Sequence, residues 1–228
     1  MIPIRDDAPR LTFPFFTLML IAVNVAVFLH QVSLGSGRDE QAFLASFALV
    51  PSQVTAALTG SGPILDGLLP VLTSMFLHGG WMHLIGNVWF LWIFGDNVED
   101  ELGHAFFLLF YIACGVFATF AQFLSEPMSQ IPMVGASGAI AGVMGAYLIR
   151  FPRARVTILV PIVIFLTTFR VPAFLMLTYW LAIQFFGVWN EGGPGGIAWW
   201  AHVGGFVAGV GLVLLRPRRR VWTQTLVG

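Results

Sequence analysis

Met133-Val134-Gly135-Ala136-Ser137-Gly138-Ala139-Ile140-Ala141-Gly142 sets one serine among glycines and alanines, at the mouth of an apolar run that ends at Arg150. A hydroxyl at the start of such a run is either a small packing residue or a nucleophile. The two roles need different companions elsewhere in the chain, so the rest of the sequence decides between them.

The chain around this stretch has the composition of an integral membrane protein. Of 228 residues, 57% are hydrophobic and 10% charged, where soluble domains carry about a quarter charged residues. Net charge is zero, and all eleven basic residues are arginines. They lie in short loops and at the tail and form no groove-lining stripe, so no nucleic-acid partner is expected. The single cysteine, Cys114, sits inside an apolar run and reads as a small core residue.

Apolar runs predict six spans, at residues 13–31, 71 or 80 to 94, 104–124, 137–149, 172–188 and 199–215. The first is long enough to cross a bilayer and has no small-residue cleavage site after it, so it reads as an uncleaved helix. The acidic cluster Asp96, Glu99, Asp100 and Glu101 stops the second span, and Glu126-Pro127 stops the third. Arg150, Arg153 and Arg155 stop the short fourth, Pro172 opens the fifth, and Arg216, Arg218, Arg219 and Arg220 close the sixth. Residues 33–69 read as a mixed loop partly in the interface. Residues 156–169, apolar but interrupted by Pro161, are expected to be buried loop or interfacial structure.

With the amino terminus inside, ten arginines face the cytoplasm and only Arg38 faces out, as the positive-inside rule requires. The spans are too long and uniformly apolar for barrel strands. The expected fold is therefore all-α: a short cytoplasmic leader at 1–12, a six-helix membrane domain at 13–215 and an arginine-rich cytoplasmic tail at 216–228. A leader without transit-peptide composition favours a bacterial inner membrane.

Topology makes depth countable. Ser137 lies thirteen residues before Arg150, His202 fourteen before Arg216, and His83 thirteen before Asp96. At 1.5 Å per residue all three sit about 20 Å above the inner face. In a core about 30 Å thick, that level is roughly 10 Å below the outer surface. Ionisable groups at such depth are costly and mark function. Asn87, four residues after His83, projects from the same helix face.

These are the parts of nucleophilic acyl transfer. A serine hydroxyl needs a base, a histidine supplies one near neutral pH, and amide and backbone N–H groups stabilise an oxyanion. No Asp or Glu lies at this depth to orient the histidine, so a Ser-His dyad is expected. Gly138 and Gly142, like Gly205 and Gly209, are spaced four apart, the small-residue pattern that lets membrane helices approach closely. Such an approach brings Ser137 to His202.

Gly135-Ala136-Ser137-Gly138, His78 with His83 and Asn87 five and nine residues on, and Ala201-His202-x-x-Gly205-x-x-x-Gly209 together resemble the signature of the rhomboid family of intramembrane serine proteases. Glu99 and Gly103 resemble that family's connection between second and third helices. The resemblance implies a six-helix rhomboid fold with Ser137 as nucleophile and His202 as general base. It implies His83, Asn87 and the Ser137 N–H as oxyanion donors, with transmembrane segments of other proteins as substrates, cut near the outer face of the lipid bilayer without metal or cofactor. Residues 172–196, with the Gly192-Gly193-Pro194-Gly195-Gly196 connector, are the expected gate. Two departures stand out: residues 33–69 hold no tryptophan, and Ala141 stands where some relatives place a tyrosine against the histidine.

His78 reads as structural and Glu99 as a capping carboxylate, while His30 and His104 are interfacial. Trp199 and Trp200 suit an outer aromatic belt. A client-binding pseudoprotease would lack the serine or histidine. A proton or metal path is disfavoured by the lack of a His-Glu-x-x-His motif and of acids within the spans.

Overall fold

The computed structural model describes residues 2–162, 165–189 and 197–219. These residues form a mostly helical protein with one small sheet. In order they are β1 (Ile2–Arg5), α1 (Phe15–Ser33), α2 (Arg38–Phe47), α3 (Pro51–Thr59), α4 (Ile64–Leu68), α5 (Pro70–Thr73) and a 3-10 turn at Ser74–Phe76. Then follow α6 (Trp81–Leu102), α7 (His104–Ser125), α8 (Ser137–Arg150), β2 (Arg155–Ile162), β3 (Phe165–Pro172), α9 (Ala173–Trp189) and α10 (Trp199–Leu214). Helices α1 and α7 are long and apolar enough to cross a membrane, and Ile64–Phe76 with α6 forms a third candidate bent by 73°. The shorter α9 and α10 are apolar too, as a multi-span membrane protein requires.

Helix α8 is the axis of the core, with every residue from Gly138 to Tyr147 buried. It packs against α10 through glycines. A Cβ on Gly205 would lie 2.0 Å from the Gly138 carbonyl oxygen, and one on Gly209 would lie 2.0 Å from that of Gly142. On its other side α8 meets α7, where a Cβ on Gly138 would come within 2.5 Å of the Ala118 Cβ. Backbones this close gain dispersion contacts that larger side chains would forbid, and in lipid such packing replaces the hydrophobic drive.

The acidic cluster ends the apolar run but not α6. The helix runs on to Leu102 and closes at Gly103, whose φ of 81° suits glycine. Charges bar a segment from hydrocarbon but leave the helical hydrogen-bond ladder intact. The cluster instead organises its surroundings. Buried Glu99 accepts the α1 N–H groups of Phe16 and Thr17 at 2.9 and 2.7 Å, where a carboxylate complements orphan donors and the helix dipole. Asp100 holds Leu11 N–H at 2.7 Å and the Thr12 hydroxyl at 2.5 Å.

Arginines do the matching work at helix C-termini. Arg150 donates to the Val213 carbonyl at 2.7 Å, Arg216 to that of Leu102 at 3.0 Å, and Arg219 to that of Asp100 at 2.8 Å. Orphan carbonyls and the negative end of each dipole are thereby answered. Arg220 and the rest of the tail lie outside the described residues.

Residues 156–162 and 165–169 are not loop: β2 and β3 pair antiparallel, and β1 joins them in the order β1-β2-β3. An all-α fold is thus corrected to a mostly helical one with a three-stranded sheet. The β-branched run Val156-Thr157-Ile158 suits a strand and buries Val156 and Ile158. Pro161 sits opposite Leu166 near the end of the strand pair, where a missing donor costs least. The sheet packs beside α6 and α9: Trp89 of α6 donates its indole N–H to the Pro3 carbonyl at 2.5 Å, and Tyr147 of α8 bonds the Asp6 carboxylate.

The tryptophan-free segment 33–69 holds three short helices. It is tied down by backbone bonds, Leu49 and Met133 exchanging N–H···O contacts of 3.1 and 2.7 Å and Ser52 N–H reaching the Ser129 carbonyl at 3.0 Å.

Candidate active site

Ser137 is the first residue of α8, half-buried, and presented by the turn before it. Gly135 makes that turn with φ 125°, and its N–H donates to the Ser74 carbonyl at 2.9 Å. Only glycine suits the position. The backbone is left-handed, and an added Cβ would lie 2.6 Å from His83 Nε2.

The glycine seam carries α10 up against this serine. His202 Nε2 lies 2.9 Å from Ser137 Oγ. The other ring nitrogen, Nδ1, lies 2.7 Å from Oε1 of Gln184 on α9. Trp180, also on α9, flanks the imidazole at 5.9 Å between ring centres, and Trp199 meets it edge-on at 6.3 Å. Two indoles and an amide surround the ring in a chain with Ala141 in place of a tyrosine.

Helix α6 faces this pair across a cavity of about 550 Å³, lined by His83, Gly86 and Asn87 together with Ser137, Trp180 and His202. Asn87 is buried, and its Nδ2 has no partner among the described residues. A buried donor without an acceptor is rare and calls for a ligand or water. His83 accepts the Gly79 N–H at Nδ1, 3.3 Å away. In the neutral ring that places the proton on Nε2, the atom nearest Gly135. The first N–H groups of α8 have no intrahelical acceptor.

The other sequence-selected residues stand apart. His78 is fully buried in the turn before α6, its carbonyl accepting from Gln31 at 2.8 Å and its ring edge-on to His83 at 5.2 Å. Glu99 lies sixteen residues along α6 from His83, about 24 Å away by helical rise. His104 bonds Glu99 at 2.6 Å. Among the described residues no group of three His, Cys, Asp or Glu is placed to hold a metal ion. The Gly192–Gly196 connector lies outside the described residues.

Sequence reasoning missed Gln184 and Trp180. Gln184 lies fourteen residues after Arg170, matching the thirteen and fourteen that separate Ser137 from Arg150 and His202 from Arg216. The count that aligned Ser137 and His202 thus also finds Gln184, but an uncharged amide escapes a reading keyed to ionisable groups.

A rhomboid domain model matches residues 66–219, about two thirds of the chain. The chain belongs to the rhomboid family. It is 35% identical to the rhomboid protease GluP of Bacillus subtilis over 136 residues, which cover 59% of this chain and 24% of that protein. It is 38% identical to the putative rhomboid protease YdcA of the same organism over 78 residues, 34% of this chain and 39% of that one. It is 33% identical to a mitochondrial presenilin-associated rhomboid-like protein of Bos taurus over 92 residues, 40% of this chain and 24% of that relative. The chain thus spans between a quarter and two fifths of these relatives' lengths.

Proposed function

We propose that this rhomboid is an intramembrane serine endopeptidase that hydrolyses peptide bonds in or beside transmembrane segments of other membrane proteins. The observation that carries this is the 2.9 Å approach of His202 Nε2 to Ser137 Oγ beside an unpartnered Asn87 donor. Ser137 Oγ attacks the scissile carbonyl carbon while His202 Nε2 takes its proton. The carbonyl oxygen becomes an oxyanion, met by Asn87 Nδ2, His83 Nε2–H and the Ser137 N–H at the positive end of α8. Collapse breaks the C–N bond, and His202 returns the proton to the leaving amine. Water then attacks the Ser137 ester, with His202 again as base, releasing the new carboxylate and the free serine.

In this proposal α1, α6, α7, α8, α9 and α10 are six spans, and the short α8 carries the nucleophile. The leader 1–12 and tail 216–228 lie on the cytoplasmic side of a bacterial inner membrane, flanking the membrane domain 13–215. The dyad then lies about 20 Å from the arginine-bearing face and near the outer one.

A fluorophosphonate probe on detergent-solubilised protein tests the nucleophile. Wild type should label, and Ser137→Ala and His202→Ala should each abolish labelling and peptide cleavage while melting like wild type. Labelling that survives Ser137→Ala refutes the assignment.

A further inference from the structure

We infer that Gln184 is the positioning residue that completes the site, holding His202 in the one tautomer able to serve as base. The inference deepens the hydrolase proposal and rests on it for its meaning in catalysis.

Gln184 is the one amide in α9 and is 5% exposed within an otherwise largely apolar helix. A polar group so placed is costly unless its bonding is complete. Both of its polar atoms find a partner in one orientation. Nε2 donates to the Trp180 carbonyl one turn back, at 3.1 Å. A carbonyl only accepts, so the amide nitrogen must face Trp180 and Oε1 must face the imidazole. Turning the amide over would set two oxygens against each other.

The acceptor Oε1 at 2.7 Å then requires a proton on His202 Nδ1. In the neutral imidazole the lone pair consequently sits on Nε2, the nitrogen 2.9 Å from Ser137 Oγ. The chain of constraint runs from the Trp180 carbonyl through Gln184 and His202 to the nucleophile. Trp180 enters twice, since its indole also flanks the imidazole and stacks on Phe206 of α10 at 6.2 Å. Gln184 therefore supplies orientation without charge, as the Asn of Cys-His-Asn proteases does on an unrelated fold.

Three proteins test this in detergent: wild type, Gln184→Leu and Gln184→Glu, each checked by thermal melting. Nitrogen-15 histidine NMR reads the tautomer directly, with the His202 signals assigned by their loss in His202→Ala. Wild type should show His202 protonated on Nδ1, and Gln184→Leu should show a mixture of tautomers. With a transmembrane substrate, Gln184→Leu should lower kcat by about 10- to 100-fold, the range for orienting partners, while KM stays within about twofold. Gln184→Glu keeps the acceptor and should recover most of kcat. Its carboxylate favours the imidazolium, so the acid limb of its pH profile should move to higher pH. His83 of α6 is the titratable side chain facing His202 across the cavity and is unchanged in all three proteins.

A packing role predicts the reverse order, with leucine tolerated and the buried glutamate inactive. An Nε2–H tautomer in wild type, or wild-type kcat and pH profile in Gln184→Leu, overturns the inference. The tautomer needs no turnover to be read. Wild type that neither labels at Ser137 nor cleaves would therefore sink the protease proposal while the Gln184 contact is still judged.

Discussion

The two sides of Ser137 are built on opposite plans. Toward α10, helix backbones touch through Gly138, Gly142, Gly205 and Gly209, with no room for a methyl group. Toward α6 and α9 there is a cavity of about 550 Å³, and beside it an apolar groove of about 270 Å³ runs between Phe90, Met176, Trp180 and the sheet residues Pro3 and Ile158. The close seam sets the 2.9 Å distance between Ser137 Oγ and His202 Nε2. On the proposed mechanism the open side holds the oxyanion donors of α6 opposite the amide of α9, and a substrate comes between them. Rigidity and access are thus assigned to different helix pairs, which lets one part move without separating Ser137 from His202.

The strongest way to break this contrast is to exchange glycines for larger residues on both sides. Gly205→Val drives a side chain into the Gly138 carbonyl, which a Cβ alone would meet at 2.0 Å. Overpacking costs about 1–3 kcal/mol or more, so the melting temperature should fall and Ser137 labelling should drop by more than about 100-fold. Gly86→Ala on α6, where a Cβ meets nothing within 4 Å, should melt at or above wild type because alanine is the better helix former. Equal behaviour of the two variants would erase the distinction.

A tether across the open side comes next. Phe90→Cys with Met176→Cys, joined by a short linker through a disulfide at each cysteine, should slow cleavage of a transmembrane substrate by at least about tenfold. Labelling by a small fluorophosphonate should persist, and reductive release should restore cleavage. Undiminished cleavage by the tethered protein would show that substrate does not pass between α6 and α9.

How far the chain itself announces this arrangement varies with the physics involved. Charged stops mark where hydrocarbon ends, so Arg150, Arg216 and Asp96 bound the apolar runs, and the depth count brings Ser137, His202, His83 and Asn87 to the cavity they share. Glycines spaced four apart announce close helix contact because little else needs them in lipid. Hydrogen-bond geometry is less visible. Asp96, Glu99 and Asp100 end an apolar run without ending α6, since a helix cares about its backbone ladder and about Gly103 more than about charge. The strand pair 155–162 and 165–172 hides behind Pro161, and its third strand comes from residues 2–5, a pairing across more than 150 positions that no local pattern discloses. Gln184 hides because its role lies in orienting a neighbour.

The smallest expected effect concerns that sheet, which underlies the open side. Asp6 follows β1, accepts a hydrogen bond from Tyr147, and has its carboxyl pushed up to about 6, chiefly by burial, with Asp96 adding repulsion and the tyrosine bond opposing both. A carboxyl whose folded pKa lies above its unfolded value of 3.8 binds its proton more tightly when folded. Stability from this group is therefore greatest below about pH 4, falls as pH rises toward 6, and is level above. Asp6→Asn keeps an acceptor for Tyr147 and cannot ionise, so its melting temperature should vary less than that of wild type between pH 4 and 6. Ser137 labelling at pH 7 should stay within about twofold of wild type, because the α8 and α10 seam, not the sheet, sets the dyad. A large loss of labelling would instead mean that β1 and its Tyr147 contact help hold α8 in register, and the division between the two sides would have to be redrawn.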